Sequence, residues 1–336
     1  MPAEYLTVPD DRVGLELDEF LCLTYPHIHK GFLRAQVRAG TVLVDGQPNH
    51  PGHKLKRNDV VSVEFEDESA PRRPVAPNER VRVLHEDEST LAIDKPAGLA
   101  VEPERWARDA ATVAGALIQF AEERAEQTES GALEFRPRLV HRLDKDTTGV
   151  LLAAKNLEAE RSLRTAFDER RIDKRYLALV EGEHHLEDGA EDVIDAPIAP
   201  DPRKTGRMRV HASGKPASTS VGVAERFRGY TLMSCRPHSG RTHQIRVHLA
   251  EAGFPLAIDP LYGRRDALLL SEFKDNYKAK RGAPERPLMD RLTLHARSLG
   301  WPAPHAPETP VRVESPIPKD LERVLKQMRR VRPFRR

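Results

Sequence analysis

The chain predicts an α+β protein in two parts: a small unit of two helices and a short sheet over residues 12–66, and a larger mixed domain over residues 81–320. Three observations carry that reading. Asp67 to Arg80 contains Pro71, Pro74 and Pro77 without any apolar period, so 67–80 is expected to be an extended linker. Before it, two amphipathic helical stretches precede alternating β segments. After it, strand-like runs outnumber helical ones, the signature of an α+β layer arrangement.

In the first unit, Leu15, Leu17, Phe20, Leu21 and Leu23 repeat at helical spacing, and Phe32, Leu33 and Val37 form a second helix that ends at Gly40. Thr41 to Val44 then reads as a strand, Asp45-Gly46 as a tight turn, and Val60 to Phe65 as the returning strand. Residues 1–70 hold seven basic side chains against twelve acids, which argues against tight, independent binding of a polyanion. Even so, Lys30, Arg34 and Arg38 recur every four positions, share one helical face and are candidate phosphate contacts.

In the larger domain, Val81–His85, Thr90–Ile93, Val150–Ala154, Arg175–Val180 and Thr231–Cys235 read as strands. Val113 to Glu126 and Leu157 to Arg171 read as helices, the latter with Asn156 as N-cap, and Gly240 to Leu249 opens another after a glycine turn. Residues 264–290 are polar and irregular, and a mobile insertion is expected there. Residues 321–336 form a basic tail, with Arg323, Lys326, Arg329, Arg330, Arg332, Arg335 and Arg336 against Glu322 alone, a composition suited to displacing the counterions of RNA. No internal repeat is evident.

Bulk properties restrict the function classes. The longest apolar runs of the 336 residues are far too short to cross a membrane, and Met1 to Asp10 lacks a basic start with an apolar core, so a cytoplasmic protein is expected. Cys22 and Cys235 cannot form a disulfide framework or a paired metal motif. His243 and His248 are five apart, which turns them to different sides of a helix, and no His-Glu-x-x-His or glycine-rich phosphate loop occurs. No metal and no cofactor are expected. A formal charge of +2 does not by itself announce a nucleic-acid binder.

The chemistry concentrates in His141-Arg142-Leu143-Asp144-Lys145-Asp146-Thr147-Thr148-Gly149, where one carboxylate stands between two cations ahead of a turn. Taken alone, the run also reads as ordinary turn chemistry with solvated charges. Two further blocks change that balance: Arg175-Tyr176-Leu177-Ala178-Leu179-Val180-Glu181-Gly182 and Gly240-Arg241-Thr242-His243-Gln244-Ile245-Arg246-Val247-His248-Leu249. Together the three resemble the pseudouridine synthases of the RluA type, which isomerise uridines in ribosomal and transfer RNA. Lys95-Pro96-Ala97-Gly98-Leu99, Asp259-Pro260-Leu261-Tyr262-Gly263 and Leu292-Thr293-Leu294-His295-Ala296 extend the likeness over most of the chain.

The resemblance implies a mixed, mainly antiparallel sheet crossed by an RNA cleft. It makes Asp144 the catalytic aspartate, Tyr176 the active-site tyrosine and Arg241 the arginine paired with the aspartate, and it gives Arg142 the place vacated by a flipped nucleotide. The leading unit resembles an S4-type RNA-binding domain, although Glu16, His29-Lys30 and Asn58-Asp59 depart from its usual pattern. Such a unit is commoner in the ribosomal branch, so the implied partner is 23S rRNA or the large-subunit precursor, met by a monomer. Transfer RNA as substrate, and a non-catalytic ribosome-assembly factor, are the alternatives.

Making pseudouridine requires breaking the bond from ribose to the base nitrogen, turning the uracil and rejoining it through carbon 5. Asp144 can attack the anomeric carbon or remove the neighbouring ribose proton. Tyr176 begins the strand after the intervening helix, where adjacent strands bring it to Asp144 to stack on uracil. The target must be flipped or unpaired. His141 and His243 are read as hydrogen-bonding supports or RNA contacts, and His248 and His295 as core or surface residues.

Overall fold

The computed structural model describes residues 3–65, 70, 81–102, 111–127, 133–274, 277–278 and 284–334. In chain order the elements are β1 (Glu4–Thr7), α1 (Leu17–Thr24), α2 (Lys30–Ala39), β2 (Val42–Val44), β3 (Gln47–Pro48), β4 (Val60–Val63), β5 (Val83–Glu86), β6 (Thr90–Lys95), α3 (Val113–Ala125), β7 (Arg138–Leu139), β8 (Thr148–Ala154) and α4 (Leu157–Asp168). There follow β9 (Asp173–Glu181), β10 (Glu191–Asp195), β11 (Ile198–Pro200), β12 (Met208–Val210), β13 (Ser218–Phe227), β14 (Tyr230–Pro237), α5 (Gln244–Glu251), α6 (Leu270–Phe273), β15 (Leu294–Ala303), β16 (Ala306–Glu314) and α7 (Lys319–Val331).

Two compact units emerge, Met1–Val81 with Ala100–Leu139, and Arg82–Leu99 with Val140–Arg336. Sequence reading placed the division at 67–80, a stretch that lies outside the described residues except for Ala70. It did not foresee that residues 100–139 pack with the N-terminal unit. The reason is that amphipathicity says that a face is buried without saying against what.

In the first unit α1 and α2 fall where the helical spacing put them, and Gly40 ends α2 in the left-handed region at φ 79°. Leu17, Phe20, Leu21, Leu33 and Val37 pack with Val42, Val44, Val61 and Val63 in one core. Asp45 and Gly46 both have positive φ, 50° and 73°, which suits a two-residue hairpin turn. That turn joins β2 to β3, not to the expected returning strand. β4 instead pairs with β2 on one side and with β1 on the other, giving the order β1-β4-β2-β3. β1 lies outside the expected 12–66 span because Glu4-Tyr5-Leu6-Thr7 has an exposed edge and offers no apolar alternation to read.

The second unit is built on one sheet in the order β10-β13-β14-β9-β15-β8-β6-β5, with β16 added beside β15. All its pairings are antiparallel except β15 with β8. The fold is the α+β class expected. Period-two alternation on β9 sends Leu177 and Leu179 to one face, where α6 and α7 pack, and Ala178 and Val180 to the other, where α5 packs. A third cluster joins Ala159, Leu163 and Ala166 of α4 to Val150, Leu152 and Ala154 of β8. Asn156 caps α4 as expected, its side chain accepting from the Ala159 amide at 2.8 Å.

Three local expectations are corrected here. Gly149 belongs to β8, not to a turn. Its φ of 116° and its closeness to the Ala296 carbonyl leave no room for a Cβ, so glycine is required where β8 meets β15. Residues 321–331 are not a loose tail: α7 buries Leu321, Val324, Leu325 and Met328, while Arg323, Lys326, Arg329 and Arg330 cover its outer face. The last two arginines, Arg335 and Arg336, lie outside the described residues. Within 264–290, finally, Leu268 and Met289 form a bridge and Phe273 is buried in the core, so the described parts are anchored.

Candidate active site

The loop from Val140 to Thr147 enters β8 and is fixed at several points. At its start His141 accepts the Leu152 amide through Nε2 at 2.9 Å and stacks on Phe167, ring centroids 5.1 Å apart. Burial, with Lys174 adding to it, holds that imidazole down to about 3. It therefore remains neutral, as an acceptor must. At the far end Thr147 donates its amide to the Asp144 carbonyl at 3.0 Å. Between them, the buried Lys95 ammonium reaches the carbonyls of Pro96, Leu99 and Lys145 at 2.6, 2.8 and 2.8 Å, tying two loops together.

This loop carries Asp144 into a cavity of about 730 Å³, lined also by Arg142, Tyr176, Arg241, His243 and Arg246. Here the expected partner changes. The cation on Asp144 is Arg246, whose Nη1 donates to Oδ2 at 2.8 Å, and not Arg241. Arg241 precedes α5, and its Nε donates instead to the Pro216 carbonyl at 3.2 Å. Arg246 lies within α5 and is only 5% exposed. Its other edge grips the buried Asp259 in two bonds of 2.8 Å each, and Asp259 also accepts the amides of Leu261 and Tyr262 at 2.9 and 3.2 Å. One guanidinium thus bridges a fixed carboxylate and a reachable one, which raises its own pKa despite burial.

Tyr262 completes the support. Its ring centroid lies 5.1 Å from the Arg246 guanidinium carbon, and its hydroxyl accepts the Met208 amide at 2.7 Å and meets His243 Nδ1 at 2.9 Å. His243 holds a left-handed backbone, φ 56°, as N-cap of α5, and its Nε2 is 4.0 Å from Asp144 Oδ2. Burial lowers its pKa while Asp144 opposes the shift. Gln244 locks the same turn, accepting from Ser239 Oγ and the Arg241 amide at 2.6 and 3.1 Å and donating to the Ser218 carbonyl at 2.9 Å.

Tyr176 enters from β9. The expectation that adjacent strands unite it with Asp144 is not met, because β15 lies between β8 and β9. Instead, Tyr176 sits in register with Ala296, which itself pairs with Gly149, and Asp144 reaches the shared cavity from its loop. Burial first, and then the Asp144 carboxylate, push the phenol above its ordinary value, so it stays protonated at neutral pH. Lys174, whose Nζ donates to the Ser239 carbonyl at 2.9 Å, is lowered to about 8 by burial and Arg170.

Other candidates fall elsewhere. Lys30 and Arg34 face the acids Asp18 and Glu19: Lys30 pairs with both, and Arg34 stands 3.5 Å from Asp18. Arg38 is exposed. His248 and His295 are core residues, bonded to Thr219 Oγ1 at 2.9 Å and Thr148 Oγ1 at 3.0 Å. Among the described residues, no group of three or more His, Cys, Asp or Glu is arranged to hold a metal, and no helix is long and apolar enough to cross a membrane. Sequence reading missed Arg246, Asp259 and Tyr262 as site residues. A signal existed: Arg246 interrupts the apolar positions Ile245, Val247 and Leu249, and a cation on a buried helix needs a carboxylate partner.

Comparison with known proteins places the chain in a family. A family model described as RNA pseudouridylate synthase matches residues 89–251. The chain is 35% identical over 328 residues to ribosomal large subunit pseudouridine synthase D of Xanthomonas campestris pv. campestris, covering 96% of this chain and 91% of that protein. It is 36% identical to the protein of the same name from Nitrosomonas europaea, covering 96% and 87%. The solved structure of human RNA pseudouridylate synthase domain containing 1 matches at a TM-score of 0.52 and 25% identity, over 71% of this chain and 84% of that one. With relatives of this identity spanning nearly its whole length, the chain belongs to the RNA pseudouridylate synthase family, in its RluA branch.

Proposed function

We propose that this protein converts specific uridines of large-subunit ribosomal RNA to pseudouridine, acting as a cytoplasmic monomer without metal or cofactor. The observation that carries the reading is Asp144, one carboxylate brought to an open cavity and held by an arginine that a second carboxylate fixes from behind. The substrate is taken from the names of the relatives that match end to end.

Asp144 acts on the ribose of a uridine drawn into the cavity, either attacking the anomeric carbon or removing the neighbouring proton. Arg246 fixes the direction of the carboxylate that both routes use. Tyr176, a neutral phenol beside that carboxylate, stacks on the detached uracil and keeps it for reattachment through carbon 5. Its raised pKa suits a hydrogen-bond donor and not a base. Arg142, exposed at the rim, takes the place of the flipped nucleotide, and Arg241 contacts phosphate. The N-terminal unit adds an S4-like RNA contact through Arg38, weakened by its acidic balance.

The test is Asp144→Asn, which keeps size and removes charge. Carbodiimide primer extension on unmodified large-subunit rRNA treated with each protein should show a stop with wild type and at least ~1,000-fold slower formation with the variant, at RNA affinity within a few-fold of wild type. Wild-type protein that binds this RNA without ever producing a stop would favour the assembly-factor reading.

A further inference from the structure

Helix α7 carries a row of cations at regular spacing. Lys319, Arg323, Lys326 and Arg330 follow one another at steps of four, three and four residues, and all are exposed. At about 100° per residue they fall within about 60° of arc along about 16 Å of helix. The buried face lies opposite. Leu321, Val324, Leu325 and Met328 are each at most 1% exposed and pack with Phe227 and Phe273 in one core, so the row is fixed from behind. Past the last turn, Arg332 fastens the helix end, donating to the Glu272 and Phe273 carbonyls at 2.7 and 3.3 Å.

Among the described residues, no carboxylate lies within ion-pair distance of these four side chains. Of the two acids on α7, Asp320 is taken by Arg291 in two bonds of 2.7 Å, and Glu322 pairs with none of the four. The neighbouring Arg329 is turned instead towards β13, where it meets Glu225 in bonds of 2.8 and 2.7 Å. This unit therefore supplies carboxylates to some arginines of the helix and leaves the outer row without them. Like charges three and four residues apart on a helix repel, and an external polyanion relieves that repulsion.

The row lies on the far side of the sheet from the catalytic cavity. α7 packs on the face that receives Leu177 and Leu179, whereas α5, which brings Arg246 to the cavity, packs on the face that receives Ala178 and Val180. With layers about 10 Å thick, the outer side of α7 stands roughly 20 Å or more from α5. A nucleotide seated in the cavity does not reach it. Only an RNA whose fold carries a second segment round the sheet brings phosphates to both surfaces.

We propose that the outer face of α7 is a second docking surface for folded RNA, holding the phosphates of a segment remote from the target uridine through Lys319, Arg323, Lys326 and Arg330. It rests on the reading of RNA as substrate and adds that this substrate is large enough to touch two faces of the enzyme. A straight row of evenly spaced cations suits the repeating charge of a phosphate backbone better than the scattered carboxylates of an acidic protein.

The test compares the full-length protein with the variant Lys319→Gln/Arg323→Gln/Lys326→Gln/Arg330→Gln, using in vitro transcribed, unmodified 23S rRNA. Loss of four phosphate contacts should lower the slope of log affinity against log salt by about 3 to 4, raise Kd and KM by about 10-fold or more, and leave kcat within about 3-fold. Arg323→Lys/Arg330→Lys, which keeps both charges, should keep most of the slope. Location is read separately. Cys22 and Cys235 are buried, so a photo-crosslinker attached through Lys326→Cys marks one site, and it should join 23S rRNA at positions distinct from those reached through Arg142→Cys at the cavity rim. An unchanged slope in a folded quadruple variant, or crosslinks absent at 326 or coincident with those from 142, overturns the surface. An unchanged slope together with loss of binding to poly-glutamate would give the face to an acidic protein. Failure of wild type to form pseudouridine would sink the parent reading instead, while slopes and crosslinks would still decide what α7 binds.

Discussion

At the scale of single residues, the site is a carboxylate whose position depends on an arginine with two commitments. Arg246 bonds Asp144 with one nitrogen and Asp259 with the other two, and Tyr262 lies against its guanidinium. Arg246→Met would leave two carboxylates without their cation, one of them fully buried, so a stability loss of about 3–5 kcal/mol is expected in denaturant titration, with activity nearly abolished. Arg246→Lys keeps the charge but cannot span both acids with a planar fork, and should recover only part of either quantity. Arg241→Met, which removes a bond to one carbonyl at the rim, should cost within about 1 kcal/mol and act mainly on RNA affinity. The opposite ranking of the two arginines would return the pairing role to Arg241.

At the scale of elements, the site depends on how closely β8 and β15 approach. These strands form the parallel joint of an otherwise antiparallel sheet, and Gly149 lies against the Ala296 backbone within it. Gly149→Ala must displace backbone and also holds alanine at positive φ, so a loss of more than about 4 kcal/mol, read as a collapsed soluble yield or denaturation midpoint, is expected. Gly46 in the first hairpin has a positive φ but open space around it, and Gly46→Ala should cost only about 1 kcal/mol. Equal losses at the two positions would show that backbone conformation, and not the strand contact, sets the requirement. The Lys95 ammonium contributes at the same scale, since one buried side chain joins the 96–99 loop to the loop bearing Asp144.

For the molecule as a whole, buried neutral histidines tie stability to pH. Burial holds His295 down to about 4, despite the Ser315 carbonyl and Asp94 pulling the other way, and His141 is held at about 3. Unfolding frees both to take up protons below about 6.5. The unfolded state then binds more protons, so stability is intact above that pH and declines as pH falls towards 4, by up to about 1.4 kcal/mol per pH unit for each histidine. Denaturation midpoints measured from neutral to mildly acidic pH should show this fall, and His141→Asn should flatten it by about one proton. An identical slope in that variant would exclude His141 as a source.

The sequence by itself determined the class of fold, the helices at α1, α2 and α4 with the Gly40 and Asn156 caps of the last two, and the family, because these follow from local period, capping chemistry and ordered motif blocks. The same blocks named Asp144 and Tyr176, which the structure brings to one cavity. What only the tertiary structure decided was partnership. Arg241 and Arg246 lie five positions apart in one block, and nothing local says that the first precedes α5 while the second faces inward to Asp144 and Asp259. Lys30 and Arg34 looked like a phosphate-binding stripe until folding set Asp18 and Glu19 against them. The basic run after residue 320 looked like a tail because its charges outnumber its four buried apolar residues, yet those four fix it to the sheet. Periodicity reports which side chains seek cover; which element supplies it depends on long-range packing that no local window contains.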